Sequence, residues 1–172
     1  MSRSSNPIIR EFVESDLDIV RDLIYETIDV CYSGVYSKEA VRFFKDWHCD
    51  ENVLEDANDG HTIVLEKDSR VIGTGTVVGD EIKRVFVEPA FQKNGFGKII
   101  MQKLEEKALL ASIDIVKLDA TLLSKKFYDS LAYVTLEATF LEIENGKRLD
   151  YYKMEKSLTK ERPEDAKGFH YS

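Results

Sequence analysis

A β-strand that stops at a proline and gives way to a helix behind two glycines leaves few folds open. The segment is Val85-Phe86-Val87-Glu88-Pro89-Ala90-Phe91-Gln92-Lys93-Asn94-Gly95-Phe96-Gly97-Lys98. Pro89 has no N–H to give to a ladder, so the strand ends there. Gln92-x-x-Gly95-x-Gly97 follows, and Gly97 to Leu110 then takes helical spacing, with Ile100, Met101, Leu104 and Ala108 on one side. Free amides in the first turn of a helix point outward and carry partial positive charge. Glycines carry no Cβ to hold an anion away. The segment suits a pyrophosphate, with each amide bonded to a charged oxygen contributing roughly 1.5–3 kcal/mol. The plainer alternative is a tight strand-to-helix turn with no ligand. Two rival glycine motifs fail by counting. A dinucleotide fingerprint needs glycine where Ile100 stands, and a phosphate loop of the Gly-Lys-Ser/Thr kind needs a hydroxyl where Ile99 stands.

The rest of the chain alternates between two periods. Ile8 to Val13 reads as a first strand. Ser15 reads as the N-cap of a helix carrying Leu17, Val20, Ile24, Ile28 and Cys31 on one face. A second helix starts at Ser37 and is expected to bury Val41, Phe44 and Trp47, and Asn52 to Gly60 suggests a short helical turn and a loop. Thr62 to Glu66, Val71 to Val78 and Glu81 to Val87 are β-rich runs with short polar breaks, which favour antiparallel hairpins. Val116 to Leu122 is a fifth strand and Ser124 to Ala132 a short helix. Thr135 to Ile143 and Leu149 to Lys156 flank Asn145-Gly146, a strong hairpin signal. This order predicts one α/β (α+β) domain over residues 1–158 around a central sheet, with Thr159 to Ser172 a charged tail expected to be partly disordered.

Charge narrows the partners. A formal net charge of −8 argues against nucleic acid, whose phosphates are held by clustered Lys and Arg. No stretch approaches the roughly 20 apolar residues of a membrane span. Residues 1–10 contain no apolar run of the kind a secretory leader needs. Cys31 and Cys49 have no neighbours at metal-ligand spacing, so no metal is expected, and they read as reduced thiols in a cytoplasmic protein.

Two motifs together resemble the GNAT superfamily of N-acetyltransferases. One is Gln92-Lys93-Asn94-Gly95-Phe96-Gly97, in the place of that family's Gln/Arg-x-x-Gly-x-Gly/Ala. The other is Phe127-Tyr128-Asp129-Ser130-Leu131-Ala132-Tyr133, which follows the fifth strand at family-like spacing. The chain departs from the usual pattern at Thr121, where many members have Asn, at Ser124, where many have Ala, and at Ala132, where Gly is usual. The resemblance implies a mostly antiparallel seven-stranded mixed sheet flanked by helices, with a V-shaped gap between its fourth and fifth strands. It also implies acetyl-CoA as cosubstrate, acetyl transfer to a primary amine by direct attack in a ternary complex, and in some members a homodimer. In that scheme the β-strand segment Val85, Phe86 and Val87 pairs with the pantetheine arm. The amides from Gln92 to Lys98 hold the pyrophosphate, with Lys93, Lys98, Lys125 and Lys126 near the phosphates, and Thr121 and Ser124 make weaker contacts. A CoA-binding module without catalysis is the alternative within the same fold.

Acetyl transfer needs a neutral amine, a polarised carbonyl and a leaving thiolate. Tyr128 is the candidate acid: a phenol near pKa 10 facing a thiol near 8.5 is about 2 kcal/mol uphill for full transfer, so hydrogen-bond donation suits it better. Glu81 is the candidate base, placed by simple alternation on the same face as Lys83, Val85 and Val87. A lysine amine near pKa 10.4 costs roughly 4.6 kcal/mol to deprotonate at pH 7, and an α-amine near 8 about 1.4 kcal/mol, so a water chain is the other route. Acceptor contacts are expected from residues 31–36, including Tyr32 and Tyr36, and from the 138–149 hairpin, including Phe140.

Overall fold

The computed structural model describes residues 4–159. The elements run β1 (Ile8–Glu11), α1 (Leu17–Tyr32), α2 (Lys38–Trp47), α3 (Asp50–Asp59), β2 (His61–Lys67), β3 (Arg70–Val78) and β4 (Glu81–Val87). They continue with α4 (Phe96–Leu110), β5 (Ile115–Thr121), α5 (Lys125–Ser130), β6 (Val134–Glu142) and β7 (Arg148–Ser157). Seven strands form one sheet in the order β1-β2-β3-β4-β5-β7-β6. Only β4 and β5 run parallel as neighbours. This is the mixed, mostly antiparallel sheet expected. The expectation for the tail beyond Thr159 lies outside the described residues.

Strand alternation sends neighbouring residues to opposite faces, and each face has its own helix. Ile100, Met101, Leu104 and Ala108 of α4 pack with Leu65, Ile72, Val116 and Leu118 on one side. Val20, Leu23, Ile24 and Ile28 of α1 pack with Val64 and Val71 on the other. Each such side chain, fully buried, contributes about 1.5–3 kcal/mol. Gly73 and Gly75 explain themselves here. A Cβ on Gly75 would stand 2.6 Å from Ile100 Cγ2 and 2.8 Å from Leu104 Cδ1, so glycine lets α4 lie close on β3.

Several local expectations change. β1 ends at Glu11, and Ser15 does not cap α1: it sits inside a 3-10 turn, Glu14–Asp16, that runs into the helix. Asp16 takes the capping role, accepting from the Val13 amide at 2.9 Å while Arg10 grips both of its oxygens at 2.8 Å. The hydrogen bonds from Arg10 outweigh burial and lower the Asp16 pKa. Ser37 caps α2 through its hydroxyl and the Ala40 amide, as its position predicts. The segment after Asn52 belongs to a full helix, α3, because Cys49 precedes Asp50 in extended geometry and Val53 anchors the helix in the core. Trp47 is 54% exposed rather than buried, because α2 turns its Ala40 face to the core and ends with Trp47 over a cavity. Asn145 and Gly146 both take positive φ, 59° and 66°, and Lys147 donates to the Glu144 carbonyl at 3.2 Å. That is the primed turn an Asn-Gly pair favours.

Candidate active site

The site begins with an irregularity in β4. Its ladder with β3 pairs Thr76 with Lys83 and Thr74 with Phe86, leaving Arg84 and Val85 together opposite Gly75. Arg84 takes φ 54°, a left-handed conformation that costs a non-glycine residue roughly 1–2 kcal/mol. Its side chain is buried, pairs with Asp56 of α3 and reaches the Trp47 carbonyl at 3.4 Å. The extra residue reverses the alternation. Val85 and Val87 turn with Ile82 toward α4, while Phe86 packs on the α1 side. Lys83 also faces α3, lying 3.4 Å from Asp56, so Glu81 shares its face with Lys83 and not with the two valines. The simple-alternation placement of Glu81 is therefore corrected, although Glu81 still lines a cavity on this side.

β4 and β5 touch at one rung. Their register holds a single pair, Glu81 with Lys117, supported by the Lys117 amide donating to the Asp80 carbonyl at 2.8 Å. Beyond it the strands diverge, and cavities of about 240 and 760 Å³ meet in the gap. Both are bordered by Tyr32, Val85, Phe86, Thr121, Ser124 and Tyr128.

The larger cavity reaches the start of α4, where Gln92, Lys93, Gly95, Phe96, Gly97 and Lys98 line it. Gln92 differs from expectation. Its amide donates to the Pro89 carbonyl at 3.3 Å, closing the 3-10 turn Pro89–Phe91, and its side chain donates to the Val87 carbonyl at 3.0 Å. Asn94 turns away from the cavity, its side-chain amide bonding the Phe91 and Gln92 carbonyls at 3.2 and 3.1 Å. From residue 93 to residue 98, the backbone amides donate to no acceptor among the described residues; the first occupied one is Ile99, to the Gly95 carbonyl. Consecutive unpaired amides in a concave turn form an anion cradle. Gly95 at φ 83° supplies the left-handed turn. Gly97 serves packing: a Cβ there would stand 3.0 Å from the Phe127 ring. Lys93 and Lys98 are exposed beside the cradle, whereas Lys125 is paired with Asp129 at 2.7 Å.

Tyr128 sits where both cavities meet, 8% exposed, with the Phe127 and Tyr133 ring centroids 5.1 and 5.6 Å away. The end of α5 fixes it. Tyr133 donates to the Tyr128 carbonyl and Ala132 to the Asp129 carbonyl, each at 3.1 Å, with Ala132 at φ 69° in the left-handed position where a glycine is usual. The Tyr128 hydroxyl makes no hydrogen bond to a described residue, and burial pushes its pKa well above the ordinary phenol value. It therefore stays protonated and can donate. Burial also raises Tyr32, with the Thr121 hydroxyl opposing. Thr121 and Ser124 hold each other at 3.0 Å between their hydroxyls.

The smaller cavity lies toward α2 and the β6–β7 hairpin. Here alternation missed Asp119, which shares a face of β5 with Lys117 and Thr121 and lines the cavity near Glu81. Burial, then the Glu81 charge, holds its carboxyl above the ordinary range, with Lys153 opposing. Reading β5 as Lys117, Asp119, Thr121 on one face would have found it. Tyr36 and Phe140 do not line either cavity. The Tyr36 hydroxyl ties the Asp150 carbonyl to the Leu122 amide, and Phe140 lies under Arg148 at 3.6 Å.

His48 is buried beside Arg84, and its Nδ1 has no partner among the described residues. Desolvation first, then Arg84, pushes its pKa down from 6.5 to about 3. The folded value lies below the unfolded one, so the unfolded chain takes up the proton first as pH falls. Stability is therefore lost between pH 6.5 and about 3, with a limiting slope of about 1.4 kcal/mol per pH unit. Melting temperatures measured across that window will fall less steeply in His48→Gln than in the parent.

Comparison with known proteins agrees with this geometry. The family profile of the acetyltransferase (GNAT) domain matches residues 32–158, and the chain belongs to that family. No curated protein matches the sequence closely enough to count as a relative. Among solved structures, a GCN5-related N-acetyltransferase from Rhodopseudomonas palustris superposes with TM-score 0.81 at 20% identity, over 91% of this chain and 99% of that one. The PaiA N-acetyltransferase of Thermoplasma acidophilum, solved with coenzyme A, gives 0.69 at 19%, over 89% and 99%. YncA of Salmonella typhimurium, solved with its cofactor acetyl-CoA, gives 0.66 at 17%, over 92% and 97%. Among the described residues, no helix is long and apolar enough to cross a membrane.

Proposed function

We propose that this chain is an acetyl-CoA-dependent N-acetyltransferase that moves the acetyl group to a primary amine by direct attack in a ternary complex. The observation that carries it is the run of unpaired amides at residues 93–98, opening into a gap that leads to Tyr128. The cradle takes the pyrophosphate, and the splayed edge of β4 at Val85 to Val87 takes the pantetheine arm. The amine nitrogen attacks the thioester carbonyl carbon and the C–S bond breaks. Tyr128 donates a hydrogen bond to the departing sulfur, which leaves as the thiolate and then takes a proton from solvent. The proton lost by the nitrogen passes to Asp119 and Glu81 through water; raised above the ordinary carboxylate range, Asp119 is the readier acceptor for it. A β4 backbone amide beside the bulge polarises the carbonyl in this reading, a role that the irregular register there supports. Cys31 and Cys49 are free thiols, which suits a cytoplasmic setting.

Calorimetry with acetyl-CoA, followed by thiol release across a panel of amines, tests the reading. Expected are saturable binding and thiol release with at least one amine. Binding without release from any amine favours the silent CoA-binding module, and no binding removes both.

A further inference from the structure

Resting on the transferase reading, we propose that the acceptor is a protonated primary amine on a short aryl body. Its ring would lie against Phe43 and Trp47, and its ammonium would meet Asp119. The smaller cavity, about 240 Å³, is below the usual range of pockets for drug-sized ligands, roughly 300–1,000 Å³. One wall is flat and aromatic: the Phe43 and Trp47 rings are stacked, 6.2 Å between centroids and 14° from parallel. An indole that is 54% exposed at a cavity rim is apolar surface without a partner in this fold. Leu141 of β6 and Leu149 of β7 close the cavity opposite α2. The apolar body of the acceptor belongs between these walls.

The charge sits at the β4–β5 end. Two cations there are engaged. Arg84 is paired with Asp56, and Lys83 lies 3.4 Å from Asp56 and 3.8 Å from Glu81. Among the described residues Asp119 has no direct ion pair: Lys153, opposite it on β7, acts on it only as a nearby charge. A cation entering the cavity finds in Asp119 an unpaired carboxylate at the level of the gap, with aromatic faces beside it. An anionic acceptor would meet Asp119 and Glu81 as like charges. A long polyamine would leave the stacked aromatic wall without a partner.

Trp47 is the only tryptophan in the chain, so indole emission reports on this cavity alone. The protein saturated with CoA is titrated with 2-phenylethylamine, and separately with spermidine and an N-terminal peptide amide. The expected result is a saturable change in emission with 2-phenylethylamine and none with spermidine. With acetyl-CoA, kcat/KM for 2-phenylethylamine is expected at least tenfold above that of the other two. Trp47→Ala should raise the KM for the aryl amine about tenfold while the acetyl-CoA Kd stays unchanged. Asp119→Asn should raise the same KM without moving the emission of the free protein. Faster acetylation of spermidine or the peptide, or an unchanged KM in Trp47→Ala, overturns the aryl assignment and leaves the transferase intact. No thiol release with any amine would remove the transferase reading itself.

Discussion

Replacing Tyr128 by phenylalanine will lower kcat about 10²-fold, the lower end of what a positioned proton donor contributes. The affinity for acetyl-CoA should stay within a factor of two. The asymmetry follows from the geometry. The ring of Tyr128 is core, buried against Phe127 and Tyr133, and phenylalanine keeps that packing. Its hydroxyl bonds to no described residue, so its removal leaves no protein group unsatisfied. The oxygen is therefore dispensable to the fold, and in the proposed mechanism it is needed only where sulfur departs. Steady-state kinetics with the best amine, together with a melting curve, check this. Unchanged turnover at unchanged Tm would end the assignment of Tyr128 as the donor.

Valine at position 97 should weaken acetyl-CoA binding by about 10²-fold and leave the protein folded. A Cβ at that position already stands 3.0 Å from the Phe127 ring, and valine adds two methyls beyond it. The first turn of α4 must then move away from α5, and with it the amides of residues 96–98. Each amide lost to a charged oxygen costs roughly 1.5–3 kcal/mol, so misplacing one or two is enough. Calorimetry against acetyl-CoA measures the loss, and thiol release at saturating acetyl-CoA should recover most of kcat. Full affinity in Gly97→Val would mean that the cradle does not hold the diphosphate.

What was legible in the sequence is what is decided locally. Pro89 ends a strand whatever surrounds it, Gly95 allows a left-handed turn, and Asn145-Gly146 closes a hairpin, so the element order and the glycine turn could be read directly. Ile100, Met101, Leu104 and Ala108 were legible because helical spacing alone brings them together. The face of Glu81 was not, because a bulge at Arg84 depends on how β3 pairs and on Asp56 waiting in α3. Helical spacing puts Trp47 inside, where a large apolar residue usually goes. The structure leaves it over the smaller cavity instead, and nothing in its neighbours along the chain marks that difference. Alternation along β5 puts Asp119 on one face with Lys117 and Thr121, but its importance comes from Glu81 of β4, beside it in the smaller cavity, which spacing within β5 does not reveal. The motif gives the Gln92 amide to the cradle, but the 3-10 turn before it takes that donor first.

The single rung between Glu81 and Lys117 divides the sheet into two leaves, β1 to β4 and β5 to β7, hinged at one end. A molecule seated in the open end acts as a wedge that both leaves grip, so its binding energy also becomes cohesion between them. Loading at a hundred times its dissociation constant adds about 2.7 kcal/mol to the stability of the whole. The loaded protein is accordingly sturdier than the empty chain measured alone.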